Sequence, residues 1–217
     1  MDWLELWQGP WRKRLPVNEN RWIMLDVETS GLDVRHDHLL AIAAIALKID
    51  WSRKTLVLDL ADSFEVVLRH DGGASKDNIL LHGIGVQAQR MGIAPALALR
   101  DFADFASNSP LLAFHAAFDR AVILRHMRKH LGNTLPNPWL DIDHLCAVSF
   151  PSVRGRALDD WLQHFGIECA VRHQAAADTL AECELLQRIW PRMAPHCARW
   201  RDVQRLAAQH RWLTRSG

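Results

Sequence analysis

Apolar runs separated by turn residues predict three strands near the start of the chain. Residues 22–29 are apolar and then acidic, residues 38–50 contain the longest apolar run, and residues 55–69 are rich in leucine and valine. Runs of this length and composition are typical of strands. Residues 50–54 indicate a hairpin turn between the second and third runs, although no Asn-Gly pair marks it. We therefore predict an antiparallel meander.

After residue 70 the pattern changes to helices that alternate with short strands. Apolar positions at the helical period, ended by glycine or proline, predict helices over residues 76–82, 94–107, 119–131, 157–165, 175–190 and 192–217. Short apolar runs predict strands over residues 110–116 and 139–143. This order indicates an α/β fold with a mixed five-stranded sheet and helices on both faces.

The pattern divides the chain into one main domain and two terminal segments. Residues 1–20 are rich in tryptophan and arginine and form an N-terminal extension, residues 21–191 carry the α/β pattern, and residues 192–217 form a basic C-terminal helix. In the extension, Trp3 and Trp7 lie four residues apart, which suits a short amphipathic helix. Packing of that helix on the domain is the favoured interpretation, and an arm that binds a partner is the alternative.

Composition limits the classes of partner. The net charge is only +1, with 26 basic and 25 acidic residues, so any contact with nucleic acid is local and not a broad phosphate footprint. The longest apolar run, residues 39–47, is too short to cross a membrane, and the first residues carry no apolar stretch of the signal-peptide kind. The four cysteines form no CxxC pair, which is typical of reduced thiols in the cytoplasm.

Two carboxylates lie at the end of the first predicted strand. Asp26 and Glu28 are two residues apart, so both side chains point to the same face of the strand. The residues before them are apolar, and two acids in such surroundings repel each other unless a cation lies between them. Oxygen ligands favour a hard divalent ion, Mg²⁺ or Mn²⁺.

Three further residues are ambiguous when each is taken alone. Asp119 opens a predicted helix, where aspartate is a good N-cap. His173 and Asp178 are five residues apart, which places them about 140° apart on a continuous helix. They can share one site only if His173 lies on the loop before that helix. Otherwise they are an exposed histidine and an ordinary helix-face aspartate.

Three sequence blocks are specific in combination. They read LDVETSGL at 25–32, FHAAFD at 114–119 and HQAAAD at 173–178, with LHGI at 81–84 between the first two. Together they resemble the D-x-E-T-T-G-L, H-N-A-x-F-D and H-x4-D blocks of the DEDDh exonuclease superfamily, which also carries an I-H-G-I segment. That superfamily includes the proofreading subunit of bacterial replicative DNA polymerase and ribonuclease T. The resemblance covers about residues 20–190.

The resemblance implies a 3′→5′ exonuclease of ribonuclease H-like fold that releases nucleoside 5′-monophosphates. It implies two divalent ions, Mg²⁺ or Mn²⁺, held by Asp26, Glu28, Asp119 and Asp178. Asp26 would bridge the two ions, Glu28 and Asp178 would complete the site that binds the attacking water, and Asp119 would support the second ion through water. His173 would take the proton from that water, since an unperturbed imidazole titrates near neutrality. No lysine or arginine lies within the motifs to neutralise the four acids.

The resemblance also implies a set of substrate-binding residues, which are Thr29, Gly31, Leu32, His82, Phe114 and His115. Leu32 would wedge against a base and Phe114 would stack on one, and for both of them ordinary core packing is the alternative. Phe114 and His115 stand where the family has His-Asn, a departure that bears on substrate preference. The chain contains no tyrosine, which excludes the sister DEDDy group.

Several alternatives stay open. One is a nucleic-acid-binding module of the same fold without catalysis, which the intact set of four acids and one histidine disfavours. Others are an exonuclease subunit of a polymerase assembly, docked through the Trp-rich head or the basic tail, and another metal phosphoesterase of ribonuclease H-like fold, which would not need His173. DNA, RNA or short oligonucleotides all fit as substrates, with single-stranded 3′ ends preferred. A homodimer is as compatible with the sequence as a polymerase partner.

Overall fold

The molecule is organised around a five-stranded mixed sheet. In the computed structural model, which describes residues 16–72, 82–153, 155 and 157–213, the strand order is β3-β2-β1-β4-β5. The strands are β1 (Arg21–Thr29), β2 (Leu39–Asp50), β3 (Thr55–Val67), β4 (Leu111–Ala113) and β5 (Trp139–Asp141). β2 pairs antiparallel with both β1 and β3, whereas β4 is parallel to both β1 and β5. The predicted meander and mixed sheet are therefore confirmed.

Helices connect the later strands and cover the sheet. They are α1 (Val86–Met91), α2 (Pro95–Ala106), α3 (Ala117–Leu131), α4 (Ile142–Ser149), α5 (Leu158–Phe165), α6 (Ala175–Met193), α7 (Trp200–Ala208) and α8 (His210–Leu213). The predicted helices near the N-terminus and over residues 76–82 fall outside the described residues, apart from residue 82. Within the described part of the chain, no helix combines the length and the apolar character needed to cross a bilayer.

The alternation of side chains along β1 decides where the functional residues point. Trp22 and Met24 belong to the hydrophobic cluster that contains the buried face of α6. Ile23 and Leu25 belong to the opposite cluster, which contains α2 and α3. Because strand side chains alternate between faces, Asp26 and Glu28 continue the row of Trp22 and Met24 toward α6. Helices thus cover both faces, as predicted.

The predicted strand over residues 139–143 is shorter in the structure. β5 ends at Asp141, whose carboxylate accepts a hydrogen bond from the backbone N–H of Asp143 at 3.0 Å and caps α4. α4 was not predicted, because its apolar residues follow the strand without a glycine or proline to separate the two elements. This early turn places Asp141 at the carboxyl-terminal edge of the sheet, next to the end of β4.

The predicted single basic helix over residues 192–217 is wrong. α6 continues past Pro191 to Met193, and a short 3-10 turn (Ala194–His196) precedes α7 and α8. Proline removes one backbone donor from a helix, and here the helix ends within two residues of it. Trp200 of α7 is 3% exposed and lies edge-on to Trp22, with ring centroids 5.0 Å apart. The segment therefore contributes to the core.

Candidate active site

Three carboxylates converge at the carboxyl end of β1. Asp26, Glu28 and Asp178 each offer an oxygen atom, and these three atoms lie within 4.8 Å of one another. Asp178 lies in the first turn of α6, the helix that packs across β1 and β2. One cluster thus forms from residues about 150 positions apart in the sequence. The D-x-E spacing places two of the acids on one face of β1, and Asp178 lies on the helix that packs on that face.

Asp119 lies in the first turn of α3 and is 4% exposed. It stands outside the close trio of described carboxylates, yet its charge is near enough to raise the pKa of Asp26. Burial raises the pKa of Asp119 itself to about 7, and the charge of Asp141 adds to the rise. The N-cap interpretation of Asp119 is wrong, because Ala116 occupies that position and no side chain caps the helix.

The cluster fits a divalent cation. Burial raises the pKa of Asp26 well above its ordinary value, and the carboxylates of Asp119 and Glu28 add to the rise. Glu28 is 4% exposed, and its Oε1 atom is buried without a hydrogen-bond partner among the described residues. Buried, mutually repelling acids with an unpartnered oxygen are costly without a positive charge between them. Carboxylate oxygens are the ligands that Mg²⁺ and Mn²⁺ prefer.

His82 contacts Glu28 through its Nδ1 atom and the Oε2 atom of the carboxylate. This hydrogen bond raises the pKa of His82, and the same contact opposes the rise that burial causes in the pKa of Glu28. The resemblance assigned His82 to substrate binding. In the structure it lies against a carboxylate of the cluster, so it helps to orient Glu28 whatever else it binds.

His173 lies on the loop before α6, which is the condition for sharing a site with Asp178. Its backbone has a φ of 62°, a conformation that non-glycine residues adopt rarely. Its backbone N–H donates to Oδ2 of Asp178 at 2.9 Å, so the backbone turn is tied to the carboxylate while the histidine remains exposed. The imidazole is near enough to Glu28 to affect the pKa of that carboxyl.

A basic residue from outside the three sequence blocks reaches the cluster. The Arg172 guanidinium contacts Oδ1 of Asp178 and also pairs with Asp159, with 2.5 Å between its Nε atom and Oδ1 of Asp159. Arg172 lies one position before the third sequence block, which is why a search within the motifs missed it. It neutralises Asp178 only: among the described residues, Glu28 is paired with His82, and Asp26 forms no ion pair.

Glu182 is a fifth acid that sequence reasoning missed. It lies one helical turn after Asp178 on α6, is 2% exposed, and accepts a hydrogen bond from the backbone N–H of Phe114 at 3.2 Å. Burial raises its pKa well above the ordinary value, and the charges of Asp26 and Asp119 add to the rise. The four-residue spacing from Asp178 could have indicated it, because such pairs share a helix face.

The loop after β1 contains three of the predicted substrate-binding residues. Thr29 Oγ1 donates to the carbonyl oxygen of Gly31 at 2.6 Å and closes the turn. A Cβ atom added to Gly31 would lie 2.5 Å from Oδ2 of Asp37, so a larger residue would displace the Asp37 carboxylate, which accepts a hydrogen bond from Ser30 Oγ. Leu32 is 88% exposed, an unusual degree for a large apolar side chain. The loop therefore offers a bare apolar tip beside the acids.

Phe114 and His115 follow β4 and differ in exposure. Phe114 is 9% exposed and belongs to the cluster of apolar side chains on the α6 face, so most of its ring is used in packing. His115 is exposed, has a φ of 56°, and donates its backbone N–H to Oδ1 of Asp141 at 3.1 Å. Their ring centroids are 4.5 Å apart. Of the two, His115 has the ring accessible to a substrate.

Comparisons with known proteins identify the family to which this architecture is similar. The sequence model of the RNase T family, described as an exonuclease, matches residues 23–186. PolC-type DNA polymerase III from Clostridium perfringens is 25% identical, and that from Oceanobacillus iheyensis is 27% identical, each over 177 residues. Both alignments cover 81% of this chain and 12% of the polymerase. The chain thus spans about one eighth of the length of these relatives.

Solved structures show the same fold. E. coli exonuclease I in complex with a dT13 oligonucleotide superposes with a TM-score of 0.66 at 17% identity, over 81% of this chain and 42% of that chain. The zinc-bound form of the E. coli exonuclease I complex with single-stranded DNA gives 0.65 at 16% identity, over 82% and 43% of the two chains. The family match spans well over half of the chain and encloses the acidic cluster, and the chain therefore belongs to the RNase T family of exonucleases, within the DEDDh superfamily.

Proposed function

We propose that this chain is a divalent-metal-dependent 3′→5′ exonuclease that hydrolyses phosphodiester bonds at the 3′ end of DNA or RNA and releases nucleoside 5′-monophosphates. One observation carries the proposal. Asp26, Glu28 and Asp178 bring their oxygens within 4.8 Å of one another at the end of a buried strand. The family match supports exonuclease chemistry, and the exonuclease I relatives of the same fold bind single-stranded DNA.

The acids would hold two ions, Mg²⁺ or Mn²⁺. Asp26 would be shared between them, because the charges of Asp119, Glu28 and Asp178 all act on it, while Glu28 and Asp178 would complete the first site. Asp119, which stands outside the trio, would support the second ion through water. When bound, such ions activate a water molecule and relieve charge at the leaving oxygen. Arg172 would leave Asp178 as the first site fills.

His173 would act as the general base. A general base must reach the water and exchange its proton with solvent, and His173 is exposed on the loop beside Asp178. The positive φ at this residue sets its backbone apart from the regular turns of α6, and the backbone hydrogen bond to Asp178 holds the residue next to that carboxylate. Loss of a general base typically lowers turnover about 10²–10⁴-fold.

The 3′-terminal nucleotide would lie against the loop from Thr29 to Leu32. Leu32 offers an exposed apolar side chain that can pack on a base, and His115 after β4 offers a second accessible ring. A terminal base must leave its stack to reach the acids, at a cost of a few kcal/mol per pair. Single strands and frayed ends would therefore be preferred over intact duplex.

A second candidate is proofreading in association with a polymerase. The curated relatives are PolC-type polymerases, and this chain matches only 12% of their length. A cytoplasmic location is proposed for either candidate, and the four free cysteines, three of them buried, are compatible with it. Size measurement of the pure protein, alone and mixed with its polymerase, separates a free enzyme or homodimer from a dedicated subunit.

The proposal is tested with labelled single- and double-stranded DNA and RNA. Products are separated on a gel after incubation with Mg²⁺, with Mn²⁺ or with EDTA. We expect activity with either ion and none in EDTA. Asp26→Asn should abolish activity, whereas Asp101→Asn, an exposed aspartate on α2, should retain it. Full activity in EDTA, or full activity of Asp26→Asn, would refute the proposal.

A further inference from the structure

A second concave site lies on the α3 side of the sheet. It is a cavity of about 320 Å³ at the ends of β2 and β3, between α3 and the start of α2. We call it the histidine pocket. Its polar lining residues are His38, Arg69, His70, Asp71, His126, Lys129 and His130. A volume of this order lies at the lower end of the range for small-ligand sites. The acids face α6, so this pocket is not part of the metal cluster.

The charge of the pocket is positive in a chain that is almost neutral. Arg69 and Lys129 are exposed cations on its rim, and Asp71 is the one acid among the described residues that line it. Arg125 lies close behind, since its guanidinium contacts the carbonyl oxygen of Asp37. Burial lowers the pKa of His38, and the positive charge of Lys129 contributes to the shift. The local balance therefore favours an anionic ligand.

The histidines have different roles in the wall. His126 is 3% exposed, accepts a hydrogen bond from the backbone N–H of Leu39 at Nε2 (3.1 Å), and has Nδ1 at 2.9 Å from the carbonyl oxygen of Val122. Both of its ring nitrogens are hydrogen-bonded to the backbone, so His126 has a structural role in the buried wall of the pocket. His38 and His70 lie ring against ring at the mouth, with centroids 4.2 Å apart. Unlike those of His126, their ring nitrogens have no hydrogen-bond partner among the described residues.

The pocket adjoins the loop that would hold the 3′ terminus. The backbone N–H of Ser30 donates to the carbonyl oxygen of His38 at 2.9 Å, and the backbone N–H of His38 donates to Oγ of Ser30 at 2.8 Å. Thr29 and Leu39 are paired in the sheet. One side of this loop therefore borders the acids and the other borders His38. A strand whose last nucleotide lies at Leu32 can continue across the loop to the pocket.

We propose that the histidine pocket binds a phosphate group of the substrate strand, upstream of the 3′-terminal nucleotide. Arg69 and Lys129 supply the charge, and His38 and His70 supply ring donors at the mouth. This inference rests on the proposed exonuclease function, because the strand's position is taken from it. One phosphate contact away from the acids would let a chain with a net charge of +1 retain a strand between successive cleavages.

The test measures binding in EDTA, where no cleavage is expected. Fluorescence anisotropy is recorded with 5′-labelled dT12 and U12 across a range of salt concentrations, and the tighter ligand is used for the variants. Each phosphate contact to a single strand contributes about 0.7 to the slope of log affinity against log salt. Lys129→Ala should therefore lower the slope by about 0.7, which corresponds to about fivefold weaker binding at 0.1 M salt. Lys129→Arg should restore both values.

The matched control is Arg128→Ala, which removes the same charge from the adjacent, exposed position of α3 that does not line the pocket. We expect a dinucleotide to be too short to reach the pocket, so its affinity in competition should be the same for wild type and Lys129→Ala. Equal losses for Arg128→Ala, or an unchanged slope for Lys129→Ala, would overturn the inference. A variant that loses affinity for the free nucleoside 5′-monophosphate but not for the 12-mer would show a product site, and would also overturn it.

Failure of the inference and failure of the proposed function give different results. If wild type binds the 12-mer in EDTA but leaves it intact with Mg²⁺ and Mn²⁺, the exonuclease proposal is wrong and the binding data still decide the role of the pocket. If wild type cleaves the strand but Lys129→Ala binds as wild type does, only the pocket assignment is wrong. Thermal unfolding of each variant shows whether the substitution has altered the fold.

Discussion

Removing one acid from the cluster should stabilise the metal-free protein. In Asp119→Asn, the carboxylate becomes a neutral amide of nearly the same shape. Burial raises the pKa of Asp119 from 3.8 to about 7, a difference of about three pKa units. Each unit is worth about 1.36 kcal/mol, so ionised Asp119 lowers the free energy of unfolding by about 4 kcal/mol at high pH. The amide does not ionise and avoids this loss.

The sign of the effect depends on pH. Because the folded state binds the proton of Asp119 more tightly than the unfolded state, the penalty is absent below pH 3.8, grows as pH rises, and is complete above about pH 7. At pH 8 in EDTA, the variant should exceed wild type by up to about 4 kcal/mol. For a chain of this size that corresponds to roughly 8–16 °C in midpoint temperature. At pH 4 the two proteins should differ little.

The assay is urea unfolding followed by tryptophan fluorescence, which the buried Trp22 and Trp161 make sensitive to the core. The control is Asp101→Asn, an exposed acid on α2, which should behave as wild type at both pH values. With saturating Mn²⁺ at pH 8, wild type should gain more stability than Asp119→Asn, because ions bind the complete acid set more tightly. A variant that is less stable than wild type at pH 8 in EDTA would refute the reasoning.

Three further predictions concern residues around the cluster. His173→Ala should lower turnover about 10²–10⁴-fold while Mn²⁺ affinity, measured by isothermal titration, stays nearly unchanged, and a loss of affinity as large as that of Asp178→Ala would contradict the general-base role. Glu182→Gln should be about 1–3 kcal/mol more stable than Glu182→Ala in EDTA, because the amide oxygen still accepts the Phe114 N–H; equal unfolding midpoints would show that this bond contributes nothing. Arg172→Ala should bind Mn²⁺ several-fold more tightly in the same titration, since no cation then competes for Asp178; weaker binding would mean that Arg172 supports the site.

Most of the sheet could be predicted because the residues that specify its strands and turns are close together in the sequence. The apolar runs of β1, β2 and β3 and the polar turns between them predict the meander without knowledge of distant contacts. The blocks around Asp26, Asp119 and Asp178 were recognisable because family motifs join residues that the fold brings together. The helical period made a loop position of His173 the condition for sharing a site with Asp178, because a continuous helix would have separated them, and the structure meets that condition.

What the sequence did not reveal depends on distant packing. The four-residue spacing from Asp178 is the one local signal for Glu182, and its burial depends on the packing of α6 against the sheet. Arg172 reaches Asp178 only because the loop before α6 turns back. The C-terminal segment reads as a basic surface helix, yet Trp200 is buried against Trp22. A tryptophan in a charged stretch gives no local indication of whether it is exposed or joins a core about 180 residues away.

The measurement that tests the central claim most directly uses a 5′-labelled single strand in the presence of Mg²⁺. It is offered with a free 3′-hydroxyl, with a 3′-phosphate, and as a closed circle carrying an internal label. If hydrolysis begins at a 3′ terminus beside Leu32, we expect a descending ladder of products from the strand with the free 3′ end. The strand with the 3′-phosphate should be lost much more slowly, and the circle should stay intact. Degradation of the circle at the rate of the linear strand would show internal cutting and contradict the exonuclease assignment.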